Sequence, residues 1–239
     1  MVITGISGFL GSAVCDLFLR DGTYTVRGTV RDTKNAKKLD PIRNAFGENF
    51  NQLELFEADL LKPETIDAAI QGCDYVVHTA SPFPLIPPKD ENLLIRPAVE
   101  GTLAVVKAAH KHKVKRVVIT SSIASISFPA PENSKVEYTE NDWTDTKTCG
   151  AYEKSKTLAE KAAWDFMHSL PEEERFELVI INPGFIMGPA MVNTDFSSGV
   201  AIKKIMDGAY PGMPKLMIPI VDVRDVALAH LNALKVEEA

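Results

Sequence analysis

The chain has 239 residues, 45% of them hydrophobic, and a net charge of −6 at pH 7, so it can bury one substantial core or a core with a small cap. No apolar run reaches the roughly 18 residues of a membrane-spanning helix, and basic residues scattered over an acidic chain argue against nucleic acid as the main partner. Three distant cysteines, Cys15, Cys73 and Cys149, suit reduced thiols, and with no secretory pattern at the start the expected location is cytoplasmic.

The first dozen residues are the most informative. A short β-branched run, Val2-Ile3-Thr4, meets glycines spaced by three, Gly5, Gly8 and Gly11. Apolar side chains then recur at helical intervals over 9–20 (Leu10, Val14, Leu17, Phe18). This reads as strand, tight turn and helix. Gly5 can adopt the dihedrals of a sharp turn, Gly8 has no Cβ to keep a diphosphate off the main chain, and Gly11 lets the helix pack closely. Amides at the helix N-terminus would then face phosphates. The spacing alone is equally that of a turn without a ligand. The next strand, 24–30, ends in Arg31, about twenty residues past the glycines, where an acidic side chain would accept the ribose 2′-hydroxyl of NAD. A guanidinium there suits a 2′-phosphate, and Lys34, Lys37 and Lys38 follow closely. The cofactor is therefore read as NADP(H), against the alternative of a solvated basic loop.

Strand and helix continue to alternate. A strand over 53–56 ends at Ala58-Asp59-Leu60, and Pro63 opens a helix over 63–71 at the position proline favours. A buried strand over 75–79 leads into a proline-rich loop, 81–88, a long helix, 91–112, and another apolar strand, 116–120. The irregular segment 121–148 is too long for a connector and is a candidate functional loop. A helix over 151–169 and a strand over 176–181 follow. Six strands with helices between them predict an α/β fold, a Rossmann-type doubly wound parallel sheet. Beyond Pro183 the pattern changes to a loop over 182–189, a helical stretch over 199–207, a proline- and methionine-rich run over 211–219 and renewed helical periodicity over 220–230. The expected division is a nucleotide-binding domain, 1–182, and a partial substrate-binding lobe, 183–239, with one segment returning to the first domain.

Tyr152 and Lys156 are four residues apart on the predicted helix, which puts phenol and ammonium on one face with Cβ atoms roughly 5–6 Å apart. A neighbouring cation favours the phenolate, and moving a phenol from pKa 10 by about three units takes roughly 4 kcal/mol. Such a pair would make a proton donor for neutral pH; it is equally an ordinary helix surface. Ser121 and Ser122 stand at the carboxyl end of the strand over 116–120, where ligands bind in open α/β sheets. A hydroxyl there can donate to a carbonyl oxygen that gains negative charge, or simply cap a turn. No Cys/His grouping has metal-site spacing. His78 reads as a core histidine, and His110 and His112 complement a helix C-terminus.

Taken together, the chain resembles the extended short-chain dehydrogenase/reductase superfamily, and within it the group of dihydroflavonol 4-reductases, cinnamoyl-CoA reductases and fungal aldehyde and ketone reductases. The resemblance covers essentially the whole chain. It is carried by Thr4-Gly-Ile-Ser-Gly-Phe-Leu-Gly11, Thr29-Val-Arg-Asp32, Ala58-Asp-Leu60, Val77-His-Thr-Ala-Ser81, Thr120-Ser-Ser122, Tyr152-Glu-Lys-Ser-Lys-Thr-Leu-Ala-Glu160 and Val221-Asp-Val-Arg-Asp225. It implies a Ser122, Tyr152 and Lys156 triad that reduces a carbonyl (aldehyde, ketone or dihydroflavonol-like) to an alcohol with NADPH. It further implies cofactor contacts at Ser7, Phe9 and Leu10 beside the glycines, and at Arg31 and Lys38 for the 2′-phosphate. Asp59 and Leu60 would lie by the adenine, Thr79, Ala80, Ser81 and Thr120 along the ribose side, and Pro183, Gly184, Phe185 and Ile186 against the nicotinamide. Substrate contacts are expected at Ser81, Phe83, Ser127 and Tyr152.

Two departures refine this expectation. The cinnamoyl-CoA reductases carry a Trp-Tyr-Cys-Tyr signature where this chain has Thr148-Cys-Gly-Ala-Tyr152, and plant dihydroflavonol reductases often carry an Asn where this chain has Ser127. Both point away from a coenzyme A thioester or a flavonoid and toward a broad-range aldehyde or ketone reductase. Members of the group continue past the segment after Val221-Asp-Val-Arg-Asp225, so the substrate lobe is expected to be incomplete. The alternatives are a non-catalytic NADP-binding sensor or scaffold on the same fold, and an NAD-retaining sugar epimerase or dehydratase, which Arg31 opposes. The expected partner is a small-molecule carbonyl, with no nucleic acid, membrane or metal. The expected state is monomer or homodimer, the helices over 91–112 and 151–169 being the candidate dimer face.

Overall fold

The computed structural model describes residues 1–81, 88–128, 135–192, 197–209, 211–212, 218–237 and 239. Six short strands form one sheet: β1 (Val2–Thr4), β2 (Arg27–Val30), β3 (Glu54–Glu57), β4 (Tyr75–His78), β5 (Arg116–Thr120) and β6 (Glu177–Ile181). Their order is β3-β2-β1-β4-β5-β6, and every pairing is parallel. The helices between them are α1 (Phe9–Asp21), α2 (Ala36–Phe46), α3 (Pro63–Ile70), α4 (Asn92–Lys111) and α5 (Ala151–Ser169). This is the doubly wound Rossmann architecture expected from the alternating pattern, and its strand order reverses between β1 and β4, opening a crevice beyond their carboxyl ends.

The central strands are apolar on both faces because both faces are covered. Ile3, Val77 and Val118 join Val14 and Phe18 of α1 and Ile42 and Phe46 of α2 in one core. Their neighbours Val2, Val76 and Val117 point the other way, toward Ile66, Val105, Ala109, Ala163 and Met167. Each consecutive pair of valines or isoleucines thus serves two cores, the period-two alternation of a strand.

Three elements differ from the sequence reading. The basic stretch after Arg31 contains α2, which buries Leu39, Ile42 and Phe46 although Pro41 lies inside it; the proline masks its helical pattern. The segment over 182–189 holds β7 (Phe185–Met187), which pairs in parallel with β8 (Ile220–Asp222) in a separate two-stranded sheet. A three-residue strand whose partner is distant in sequence leaves no local periodicity to read. Between them runs α6 (Ser197–Met206). After β8, Asp222 caps α7 (Val223–Lys235) by accepting from the Arg224 amide at 2.8 Å. Through Val223, Ala227, Leu231 and Leu234, α7 packs into the core shared with α1. Arg116 fastens its far end, donating to the carbonyls of Ala233 (2.8 Å), Val236 (2.5 Å) and Glu237 (2.9 Å). Among the described residues no helix is long and apolar enough to cross a membrane.

The start of α1 is the tightest joint in the molecule. Gly5 has φ +75°, and a Cβ on Gly11 would stand 2.2 Å from the Gly5 carbonyl oxygen and 2.8 Å from Thr79 Oγ1. Both are far inside van der Waals contact, and the obstacle is backbone. Gly11→Ala is therefore expected to lose about 1–3 kcal/mol of stability, the usual range for overpacking. Urea denaturation measures it, and an unchanged midpoint would contradict this packing.

Candidate active site

The crevice between β1 and β4 is walled by the glycine turn. The Gly5 amide donates to Thr29 Oγ1 (3.2 Å) and the Gly8 amide to the Gly5 carbonyl (3.0 Å), closing the turn. On the β4 side, Thr79 Oγ1 donates to the Thr4 carbonyl (2.6 Å) and the Ala80 amide to Thr4 Oγ1 (3.2 Å), while that hydroxyl also meets His78 Nδ1 at 2.8 Å. Gly8 is the exposed N-cap of α1. Gly8 itself has no side chain with which to cap this terminus, and no acid stands in the first turn. The positive end of the helix dipole lies at the crevice, the chemistry a diphosphate needs. The nearest protein atom to a Cβ on Gly8 would be 3.4 Å away, the Gly5 carbonyl oxygen. Unlike Gly11, Gly8 is not required by the protein's own packing.

Beyond the carboxyl end of β5, Ser122 opens a single 3-10 turn, Ile123–Ser125, accepting from the Ala124 amide at 3.1 Å. Its hydroxyl is close enough to the Tyr152 phenol to lower that group's pKa. One turn further along α5, the largely buried Lys156 donates from Nζ to the Thr120 carbonyl at 3.3 Å. Thr120 Oγ1 in turn meets Nε2 of the fully buried His230 at 2.7 Å, whose Nδ1 lies 2.8 Å from the Val226 carbonyl. A small cavity beside Lys156 is lined by Ser81, Thr102, Ser121 and Glu160, among others.

The electrostatics differ from the sequence expectation in one respect. The largest influence on Tyr152 is burial, which raises its pKa; the Ser122 hydrogen bond lowers it, and the Glu153 charge raises it further. The Lys156 ammonium points to the Thr120 carbonyl, and it is the lysine that is lowered, to about 8, by burial, with the Glu160 carboxylate opposing.

The structure thus gathers Ser122, Tyr152, Lys156 and Thr120 at one sheet edge, and Gly5, Gly11, Thr79 and Ala80 at the crevice. Ser7 is exposed on the glycine turn, and Phe9 and Leu10 begin α1. Pro183 is buried beside the site, its carbonyl accepting from the Ile123 amide (3.1 Å); Gly184, Phe185 and Ile186 continue into β7. Arg31 and Lys38 are exposed beyond β2, and the half-buried Asp59 and Leu60 follow β3. The Ser127 hydroxyl is spent on the Ile123 carbonyl (2.8 Å), and Phe83 lies outside the described residues. Three polar residues that the sequence reading did not single out sit behind Ser122: Ser125, Glu160 and Asn182. The only signal for Glu160 was its place in the Tyr152–Glu160 motif. Among the described residues no cluster of His, Cys, Asp and Glu could hold a metal ion.

The chain is similar to known proteins along its whole length. The sequence model described as the NAD dependent epimerase/dehydratase family matches residues 1–239. The chain is 39% identical over 237 residues to a cinnamoyl-CoA reductase of Medicago truncatula, spanning 97% of this chain and 71% of that one. It is 35% identical over 254 residues to an anthocyanidin reductase of Vitis vinifera, spanning 99% and 73%. The crystal structure of yeast methylglyoxal/isovaleraldehyde reductase Gre2 complexed with NADPH superposes with a TM-score of 0.85 at 31% identity, over 99% of this chain and 74% of that one.

His78, beneath the crevice, carries a pH dependence. Burial first, and then the Lys156 ammonium, lower it from 6.5 to about 3. Between those values the unfolded chain takes up a proton that the folded protein refuses. Stability present above the unfolded pKa is therefore lost as pH falls toward the folded one, by about 1.4 kcal/mol per pH unit. Urea unfolding at neutral pH and near pH 5 checks this: His78→Gln is expected to lose less stability on acidification than the wild type, and equal losses would contradict a neutral buried His78.

Proposed function

This chain belongs to the NAD dependent epimerase/dehydratase family and is an oxidoreductase that uses NADP(H); from that premise we propose that it reduces a small aldehyde or ketone to the alcohol with a Ser122, Tyr152 and Lys156 triad. The observation that carries the reading is that Ser122, just beyond the carboxyl end of β5, meets the face of α5 that bears Tyr152 and the buried Lys156, whose Nζ donates to the Thr120 carbonyl of that same strand end.

Each residue has a role that its surroundings support. The raised pKa keeps the Tyr152 phenol protonated at neutral pH, the form a general acid needs. As hydride reaches the carbonyl carbon, negative charge grows on the oxygen; Ser122 Oγ donates a hydrogen bond to it and Tyr152 Oη delivers the proton. Lys156, its Nζ donating to the Thr120 carbonyl, holds positive charge one helical turn from the phenol and favours proton release, and it would hold the nicotinamide ribose of a bound cofactor. NADPH, when bound, supplies the hydride.

The glycine turn and the N-terminus of α1 would hold the diphosphate, with Ser7, Gly8, Phe9 and Leu10 presenting the backbone. Thr79, Ala80 and Ser81 would follow the riboses, Asp59 and Leu60 the adenine, and Pro183 to Ile186 the nicotinamide. Arg31 and Lys38 would take the 2′-phosphate. The exposure of both supports this, as does Asp32, the nearest carboxylate in sequence, which is engaged in accepting from the Lys34 amide (2.9 Å). On this reading residues 1–182 form the nucleotide-binding domain and 183–239 belong to a substrate-binding lobe, from which α7 returns to pack on α1. Substrate would meet Ser81, Ser127 and Tyr152 at the mouth.

The test follows NADPH absorbance with methylglyoxal, aromatic aldehydes, diketones and a dihydroflavonol. The wild type is expected to oxidise NADPH with at least one of them. Tyr152→Phe should lose at least about 10²-fold of that rate and keep the rise in melting temperature that NADPH gives. Undiminished turnover in the variant would remove the phenol from the mechanism.

A further inference from the structure

Glu160 lies on the same stripe of α5 as Tyr152 and Lys156, each four residues from the next. It is only 5% exposed, and a carboxylate so buried needs both hydrogen bonds and a counter-charge. Its hydrogen bonds come from two other elements: Ser125 Oγ at 2.7 Å and Asn182 Nδ2 at 2.9 Å. These same two groups approach the main chain of Ser122: its carbonyl oxygen accepts from Asn182 Nδ2 (3.2 Å) and lies 2.7 Å from Ser125 Oγ, whose single proton it shares with Glu160. Asn182 Nδ2 also reaches Ser125 Oγ at 2.9 Å. One carboxylate therefore ties α5 to the turn after β5 and to the chain leaving β6, the places from which the proposed triad and the nicotinamide-facing segment extend.

Its charge is also used. Glu160 and Lys156 line one small cavity, and Glu160 is the group that opposes the effect of burial on the lysine. The other titratable groups facing Lys156 are Tyr152 on its own helix and His78 from β4, with His230 of α7 behind Thr120. Both histidines are held toward the neutral form by burial. Among these groups only Glu160 supplies negative charge.

We propose that Glu160 is a positioning residue for the reductase reaction: through Ser125 and Asn182 it sets the Ser122 backbone, and across the cavity it provides the buried counter-charge of Lys156. The assignment rests on the reductase reading for its catalytic part; its electrostatic part rests on the shared cavity and does not need that reading.

Two variants separate these arms. Glu160→Gln keeps the size and one acceptor oxygen but removes the charge. The Lys156 side chain, followed by heteronuclear NMR in the cofactor-free protein, is expected to titrate lower by about one pH unit, with kcat down about tenfold and KM for the carbonyl changed by less than about twofold. Ser125→Ala keeps the charge but cuts the tether; kcat should fall several-fold while the lysine titration stays where it was. An unmoved Lys156 titration in Glu160→Gln overturns the counter-charge arm whether or not the protein turns over. Full kcat in Ser125→Ala overturns the tether, and this variant carries the test should Glu160→Gln fail to fold. A wild type that oxidises no NADPH would instead sink the reductase reading and leave the titration to judge the coupling.

Discussion

Lys156 brings a positive charge into the interior of an α/β sheet, and much of the surrounding structure exists to keep it there. Burying an ammonium costs several kcal/mol unless acceptors and a counter-charge replace water. The acceptor is the Thr120 carbonyl, freed at the end of β5 because the strand stops there. Thr120 is itself held by His230, and His230 by the Val226 carbonyl, so the C-terminal helix reaches the site through two hydrogen bonds. The carboxylate that shares its cavity is Glu160, one turn further along α5, the counter-charge proposed above. A lysine placed this way is neither a surface charge nor an inert core residue; burial brings it toward neutrality without removing its proton at pH 7.

The parallel sheet supplies the rest. Because all six strands run the same way, the ends of β1, β4 and β5 fall on one edge. Residues as distant as Gly5, Ala80, Ser122 and Tyr152 are delivered there without any of them being near in sequence. The glycine turn divides its labour. Gly11 is demanded by backbone contact with Gly5, while Gly8 stands open at the positive end of α1. The first secures the fold and the second leaves room for an anion, which is how one motif serves both stability and binding.

Much of this was legible in the sequence for identifiable reasons. Helix α5 runs from Ala151 to Ser169 as its periodicity indicated, and the six strands appear because doubly covered strands read as unbroken apolar runs. The placement of Tyr152 and Lys156 on one helix and of Ser122 at the end of β5 was legible as spacing plus position at a strand end. What was not legible depends on tertiary surroundings. Pro41 hid α2, since local propensity argues against a helix that tertiary burial of Leu39, Ile42 and Phe46 nonetheless stabilises. The pairing of β7 with β8 is non-local. Ser125 and Asn182 look like turn residues and Glu160 like helix surface, because burial of a polar group leaves no periodic signature. The pKa of Tyr152 went the opposite way for the same reason: spacing announces an ammonium four residues on, but only the fold shows that the ammonium points to the Thr120 carbonyl and that burial is the largest influence on the phenol.

The central claim is that hydride travels from NADPH to a carbonyl carbon at this site. Its most direct test uses NADPH deuterated at the transferring C4 position of the nicotinamide, with methylglyoxal as the carbonyl, and NMR of the product. The account predicts deuterium on the new carbinol carbon and none on the hydroxyl, with the label absent when protein is omitted. Alcohol formed without deuterium at carbon, or no alcohol from any carbonyl tried, would contradict it.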